Sequence, residues 1–246
     1  MDKTSGASDA PWQELIQGAI DRGLAPEKAK KQSRSRSRHA DILQAAVLVF
    51  ARDGIARARI VDIAAEAGVP LSSVYDYYPN KEDIAYAVPV ARMGDFFAEF
   101  VRKARSVRTA RLRVHLFLWL TVDFARRNQD WARTLYLEVW PSVLVEKTDL
   151  TQTLDDYGRV LRALITEGSR EGEWAVDTQP YQTVTIFIGS VNQLIITWLL
   201  YKKPKHLMKA AGPLVDRLLT LLGPVPAGAQ GATKRGGVRS RRVAHA

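Results

Sequence analysis

The sequence predicts an all-α protein. Apolar residues recur at intervals of three and four along most of the chain, sustained period-two alternation and hairpin signals are missing, and two short helical stretches meet at Gly68-Val69-Pro70. Helices are expected over 11–22, 37–52, 60–67, 71–77, 81–105, 109–127, 130–146, 153–169, 180–201 and 204–222.

The first of these puts Trp12, Leu15, Ile16, Ala19 and Ile20 on one face, with Asp9 available as a cap; the sequence does not name its partner. Lys28 to Arg38 is too rich in Lys, Ser and Arg to form a core and reads as a flexible arm, so residues 1–33 are expected to be a flexible extension carrying a short helix. At the other end, 223–246 combine Gly, Pro, Ala and basic residues with almost no large apolar side chain, as in a disordered basic tail. Between them lie a small three-helix unit, 34–86, and a helical bundle, 87–222.

Composition narrows the function classes. The 246 residues are 46% hydrophobic and 25% charged, which suits a folded soluble protein. There is no cysteine, so disulfides, thiolate nucleophiles and cysteine-ligated metals are excluded, and the four histidines, His39, His115, His206 and His245, fall in different segments. No metal site, catalytic residue or cofactor is expected: GxSxG, HExxH and a strand-borne GxGxxG are all missing. The amino terminus has no apolar run of the secretory kind, which makes the cytoplasm the expected location. The net charge of +10 points to a polyanion as partner, with basic clusters at Lys28–Arg38 and after Asp216.

The helices over 60–67 and 71–77 are short, and Gly68 between them can take positive φ, the geometry of a helix-turn-helix. Ala64 and Ala65 permit a close crossing, and Ile60, Ile63, Val69 and Val74 supply its apolar contact. Spacing alone leaves a plain helical hairpin as an equal alternative. The residues go further: 42–54 read ILQAAVLVFARDG, 63–69 read IAAEAGV and 74–83 read VYDYYPNKED. Together, in order and without a gap, they resemble the amino-terminal signature of the TetR family of regulators. The resemblance implies a helix over 71–77 lying in the major groove of a palindromic operator, presenting Leu71, Ser72, Ser73, Tyr75 and Tyr77, with Lys81 meeting a phosphate. Arg36, Arg38 and Arg59 are expected near the DNA backbone, and Asn80 as a cap with Asp83 three residues on. Asp76 is either a cytosine acceptor or turned aside, and Tyr78 belongs in the core. The pattern departs from the family at Arg59 and Pro70, where a capping hydroxyl is usual; Pro70 is expected at a first helical position.

The resemblance assigns 87–222 to effector sensing and dimerisation. Leu116, Trp119, Leu120, Tyr136 and Trp140 are candidate cavity walls, with ordinary core as the alternative for each. Pro89 and Pro141 are expected to bend their helices. Arg102, Lys103, Arg105, Arg108, Arg111 and Arg113 could draw the phosphates of a coenzyme A or form a solvated face. The stretch from Thr178 to Tyr201 has no charge, yet Gln182, Asn192 and Gln193 interrupt it, and a subunit interface explains it better than a membrane span. Tyr157, Leu161, Leu164, Gly189, Asn192, Gln193 and Ile196 are therefore the expected homodimer contacts. YLEVW, LITEGSREGEW and FIGSVNQLIITW are similar to the TetR subgroup that senses fatty acyl-CoA. The function so implied is a DNA-binding regulator and not an enzyme: a repressor released from its operator by a small apolar effector such as a fatty acyl-CoA. The alternative is a regulator of an efflux pump that senses a drug-like or aromatic compound.

Overall fold

A computed structural model describes residues 11–23, 33–141, 148–175 and 179–223. Helix follows helix among them: α1 (Trp12–Gly23), α2 (Ser33–Asp53), α3 (Ile60–Glu66), α4 (Leu71–Tyr75), α5 (Lys81–Ala104) and α6 (Ala110–Arg127). Then come α7 (Gln129–Arg133), running directly into a π-helical segment Thr134–Val139, α8 (Thr148–Arg170), α9 (Pro180–Tyr201) and α10 (Leu207–Thr220).

The reader is α2 to α4 packed on the start of α5. Ile42, Ala46, Val49, Phe50, Ile63, Ala64 and Val74 form its dry centre. The rest is a bundle whose core is aromatic: the Phe96 ring lies 5.4 Å from Phe117, 5.7 Å from Phe124 and 5.9 Å from Tyr157. Such edge-on and tilted pairs suit the charge distribution of aromatic rings. Helix ends are tied down locally. Asn80 accepts from the Asp83 amide at 2.8 Å, as its spacing predicts. The Glu173 carboxylate accepts from the amides of Ala110 (2.6 Å) and Arg111 (3.0 Å), placing a negative charge on the α6 amino terminus.

Three expectations need correction. Residues 11–23 are not a loose extension, because α1 packs on α5 and α8 with Trp12, Ile16 and Ala19 buried and the Trp12 ring 5.5 Å from Phe100. Its apolar face is long enough to join the bundle core; the proposed cap Asp9 lies outside the described residues. The first reader helix starts at Ser33, so the backbone is already helical where an arm was expected, while Lys28 to Gln32 and the basic tail 224–246 lie outside the described residues. Finally, the helix expected over 130–146 is not regular over 130–141, and its remainder lies outside the described residues. The ladder changes to i→i+5 bonds, ending with Trp140 N–H to Leu135 O at 2.8 Å, and Pro141 has no N–H to continue it.

Candidate DNA-binding surface and effector cavity

Gly68 sits at φ +64°, the left-handed conformation that ends α3 and turns the chain into α4. Pro70 occupies the N-cap of α4 and not its first helical position, with no side-chain cap bond. Val74 anchors α4 with no exposed surface, which fixes what the helix shows outward. Leu71, Ser72, Tyr75 and Asp76 are exposed, and Ser73 and Tyr77 are half-buried beside them. Arg38 is exposed on α2, whereas the side chain of Arg36 lies outside the described residues. Arg59 makes a two-pronged pair with Asp62 (2.8 and 2.9 Å) while most of its side chain stays in solvent. A short helix with hydroxyls and aromatics outward, flanked by arginines, can lie in a groove and hold phosphates on either side.

Lys81 is engaged within the chain. Its ammonium donates to the carbonyls of Ile55 (2.9 Å), Ala56 (2.8 Å) and Ala58 (3.0 Å). An ammonium has three donors, and with all three so used Lys81 clasps the α2–α3 loop to the start of α5. Sequence reading also missed His39. Its Nε2 lies 2.6 Å from the Tyr78 hydroxyl and its ring is stacked on Tyr78, both buried. Burial lowers the pKa of His39 and raises that of Tyr78, so both partners of this hydrogen bond are neutral.

In the bundle, a cavity of about 30 Å³ draws on every sensor helix except α10: Met93 and Phe96 of α5, Thr121 and Phe124 of α6, Trp131 of α7, Leu135, Tyr136 and Trp140, Leu154 and Tyr157 of α8, and Asn192 of α9. Tyr136 and Trp140 are among the lining residues. Leu116, Trp119 and Leu120 are not among the lining residues, since Thr121 and Phe124 present the cavity face of α6 and Leu120 is fully buried elsewhere in the core. Thr121 donates to Phe117 O at 2.9 Å and hence accepts from the Tyr157 hydroxyl at 2.7 Å. Burial raises the pKa of Tyr136 and Tyr157 alike, so both phenols are neutral. The space is far below the roughly 300–1,000 Å³ of ordinary ligand sites, so the side chains around it must move apart to admit a ligand of that size. Below it, a groove of about 330 Å³ separates bundle from reader, with Glu138 opposite Gly54.

Residues 42–88 match the family model for bacterial regulatory proteins of the tetR family, and residues 90–221 match that for the carboxy-terminal region of YsiA-like proteins. The chain belongs to the tetR family. It is therefore a transcriptional regulator with a helix-turn-helix DNA reader and a helical carboxy-terminal domain. It is 24% identical over 185 residues to the fatty acid metabolism regulator protein of Bacillus subtilis, covering 75% of this chain and 95% of that one. The crystal structure of FadR from Bacillus subtilis in complex with stearoyl-CoA superposes with a TM-score of 0.69 at 24% identity, over 74% of this chain and 98% of that one. The fatty acid degradation regulator FadR of Bacillus halodurans gives 0.68 at 21%, over 74% and 97%.

Within this TetR-family chain the expected dimer residues divide. Tyr157, Leu161 and Leu164 are buried in their own subunit and leave no surface for a partner. Asn192 lines the cavity. Gly189 and Gln193 are exposed and Ile196 half-buried on α9, whose Tyr181, Ile186, Leu200 and Tyr201 also stand in solvent. By length and composition α9 could cross a membrane, yet 33% of its most apolar window is buried inside the subunit. Of the basic side chains weighed for phosphates, Arg111 donates to the carbonyls of Leu219 (3.1 Å) and Gly223 (2.8 Å), and Arg113 pairs with Glu167 at 2.9 Å. Both are engaged in holding helices together.

Proposed function

We propose that this TetR-family regulator is a cytoplasmic repressor, working by binding and not by catalysis, that holds a palindromic operator as a homodimer and releases it when a long-chain fatty acyl-CoA enters the bundle. The reading is carried by the cavity, whose apolar walls come from α5 to α9 at once, so that a chain inserted there bears on all of them. The stearoyl-CoA held by the Bacillus subtilis relative supports the choice of effector. Leu71, Ser72, Ser73, Tyr75 and Tyr77 read or straddle the groove, with Arg36, Arg38 and Arg59 on the backbone. A second copy covers the exposed apolar face of α9, through Ile186, Gly189, Gln193 and Leu200, which accounts for that face without a membrane.

The test is a titration of stearoyl-CoA, and of coenzyme A alone, into the complex with a palindromic operator selected from random duplex DNA by binding to the protein. Release by stearoyl-CoA but not by coenzyme A supports the reading; retention of DNA under both ends it. The aromatic walls Phe96, Phe124, Trp131 and Tyr136 also suit a flat aromatic effector, so release by such a compound and not by stearoyl-CoA would move the protein to the efflux-regulator class.

A further inference from the structure

Trp131 of α7 lines the cavity wall. It is buried to 4% exposure, its ring set edge-on to Phe124 at 5.3 Å and 89°. Its indole Nε1–H has no hydrogen-bond partner among the described residues. A buried donor without an acceptor is rare, because the water it gave up is not replaced, and such a group calls for an explanation. The other buried indole of this kind, Trp12, is not among the residues lining the cavity.

The remaining polar groups sharpen the chemistry. The Tyr157 hydroxyl proton is already given to Thr121, whose own proton goes to Phe117 O. Asn192 is half-buried and lies at a less enclosed part of the wall. Among the described residues the cavity thus offers the neutral Trp131 donor, with the neutral Tyr136 hydroxyl also in its lining, and no positive charge. A carboxylate would enter such a wall unpaired, which is costly; a neutral carbonyl oxygen would gain one bond at little desolvation. We infer that Trp131 sets effector specificity by donating its indole N–H to the thioester carbonyl oxygen of the fatty acyl-CoA. The inference rests on the acyl-CoA reading and adds that the site recognises the ester carbonyl, not merely the length of the chain.

Binding of stearoyl-CoA and of S-octadecyl-CoA, a thioether that lacks only that carbonyl oxygen, tests it by calorimetry on wild type, Trp131→Phe and Tyr136→Phe. The expected result is about tenfold tighter binding of the thioester by wild type, the worth of one hydrogen bond, a preference abolished in Trp131→Phe and kept in Tyr136→Phe. In proton–nitrogen spectra the indole resonance missing from Trp131→Phe should shift downfield with the thioester and not with the thioether, a readout that needs only the folded wild type once assigned. Equal binding of the two ligands by wild type, an unaltered preference in Trp131→Phe, or loss of the preference in Tyr136→Phe alone would overturn the inference while leaving an acyl-CoA regulator in place. Failure of wild type to bind either ligand would overturn both.

Discussion

Lys81 donates to the carbonyl of Ile55 at 2.9 Å across 26 positions of sequence, and the same ammonium holds Ala56 and Ala58. The loop before α3 is thereby fixed to the helix that leads into the sensor. Lys81→Ala should lower the stability of the folded protein by roughly 1–3 kcal/mol, because three carbonyls lose a charged donor. Operator affinity should fall with it through a misplaced α3–α4 unit. Thermal unfolding alongside a salt series decides: an unchanged melting temperature with a salt slope reduced by about one would mean a direct phosphate contact after all.

The buried His39–Tyr78 pair makes the reader sensitive to acid. Desolvation lowers the His39 pKa from the ordinary 6.5, so between that value and the lower folded one the unfolded chain binds a proton that the folded chain does not. Stability is therefore complete above pH 6.5 and declines as pH falls below it. Tyr78 acts at the other extreme: burial raises its pKa above 10, so stability persists below pH 10 and is lost as the unfolded phenol ionises above it. Melting curves from pH 8 to 5 should show the acid slope in wild type and a flatter one in His39→Gln, where the charging group is gone.

Gly168 has no room for a side chain, because a Cβ there would overlap the Trp174 ring, which donates to Ile165 O at 3.1 Å and is 1% exposed. Gly168→Ala should cost roughly 1–3 kcal/mol by overpacking, despite the better helix propensity of alanine. It should also loosen the Glu173 cap on α6, one residue from that ring. Urea denaturation gives the stability directly, and a variant as stable as wild type would contradict this packing.

Ile186 and Leu200 stand 48% and 52% exposed on α9. If a second copy covers them, Ile186→Asp with Leu200→Asp should yield folded monomers that no longer retain operator, since each half-site then binds alone. Sedimentation gives the mass and circular dichroism the fold. Dimers of normal affinity in the double variant would place the interface elsewhere.

The reader was legible because its rules are local: the glycine at 68, the cap at Asn80 and the apolar spacing of Ile63 and Val74 each act within a few residues. Pro180 to Tyr201 was likewise read to the residue from a proline at its start and an uncharged run. The cavity was not, since Leu120 and Thr121 are one position apart and only the crossing of α6 over α5 and α8 decides which faces the ligand. Leu161 and Leu164 show the same ambiguity: an apolar stripe says that a face is covered, not whether its own chain or a second one covers it. At Lys81 a family position carries a charge to a place without saying which acceptors lie near it, and three carbonyls of the preceding loop do.

One helix joins the reader to the cavity. α5 starts under Asn80 and Lys81 at the reader, and Met93 and Phe96 on the same helix line the cavity. Between them, buried Pro89 removes the donor that Ala85 O would have met and crowds that turn. Just beyond it Arg92 donates to Gln44 of α2 at 2.7 Å, so the segment after the proline also grips the reader. Under the proposed reading, a ligand wedging Phe96 outward would tilt the far half of α5, with Pro89 as the point of bending and Arg92 as the link to α2. Driving the reader from nearly all bound to nearly all free needs about 5.5 kcal/mol of differential ligand affinity between the two states. Pro89→Ala restores the missing bond and should stiffen the helix, raising stability while reducing the factor by which effector and operator weaken one another. Binding of each partner alone should stay within about threefold of wild type, well under 1 kcal/mol. The measurement is a thermodynamic cycle: operator affinity with and without saturating stearoyl-CoA, for wild type and Pro89→Ala. A smaller ratio in the variant, with both end affinities intact for the separate partners, identifies Pro89 as the hinge; equal ratios would assign the coupling to the groove where Glu138 faces Gly54.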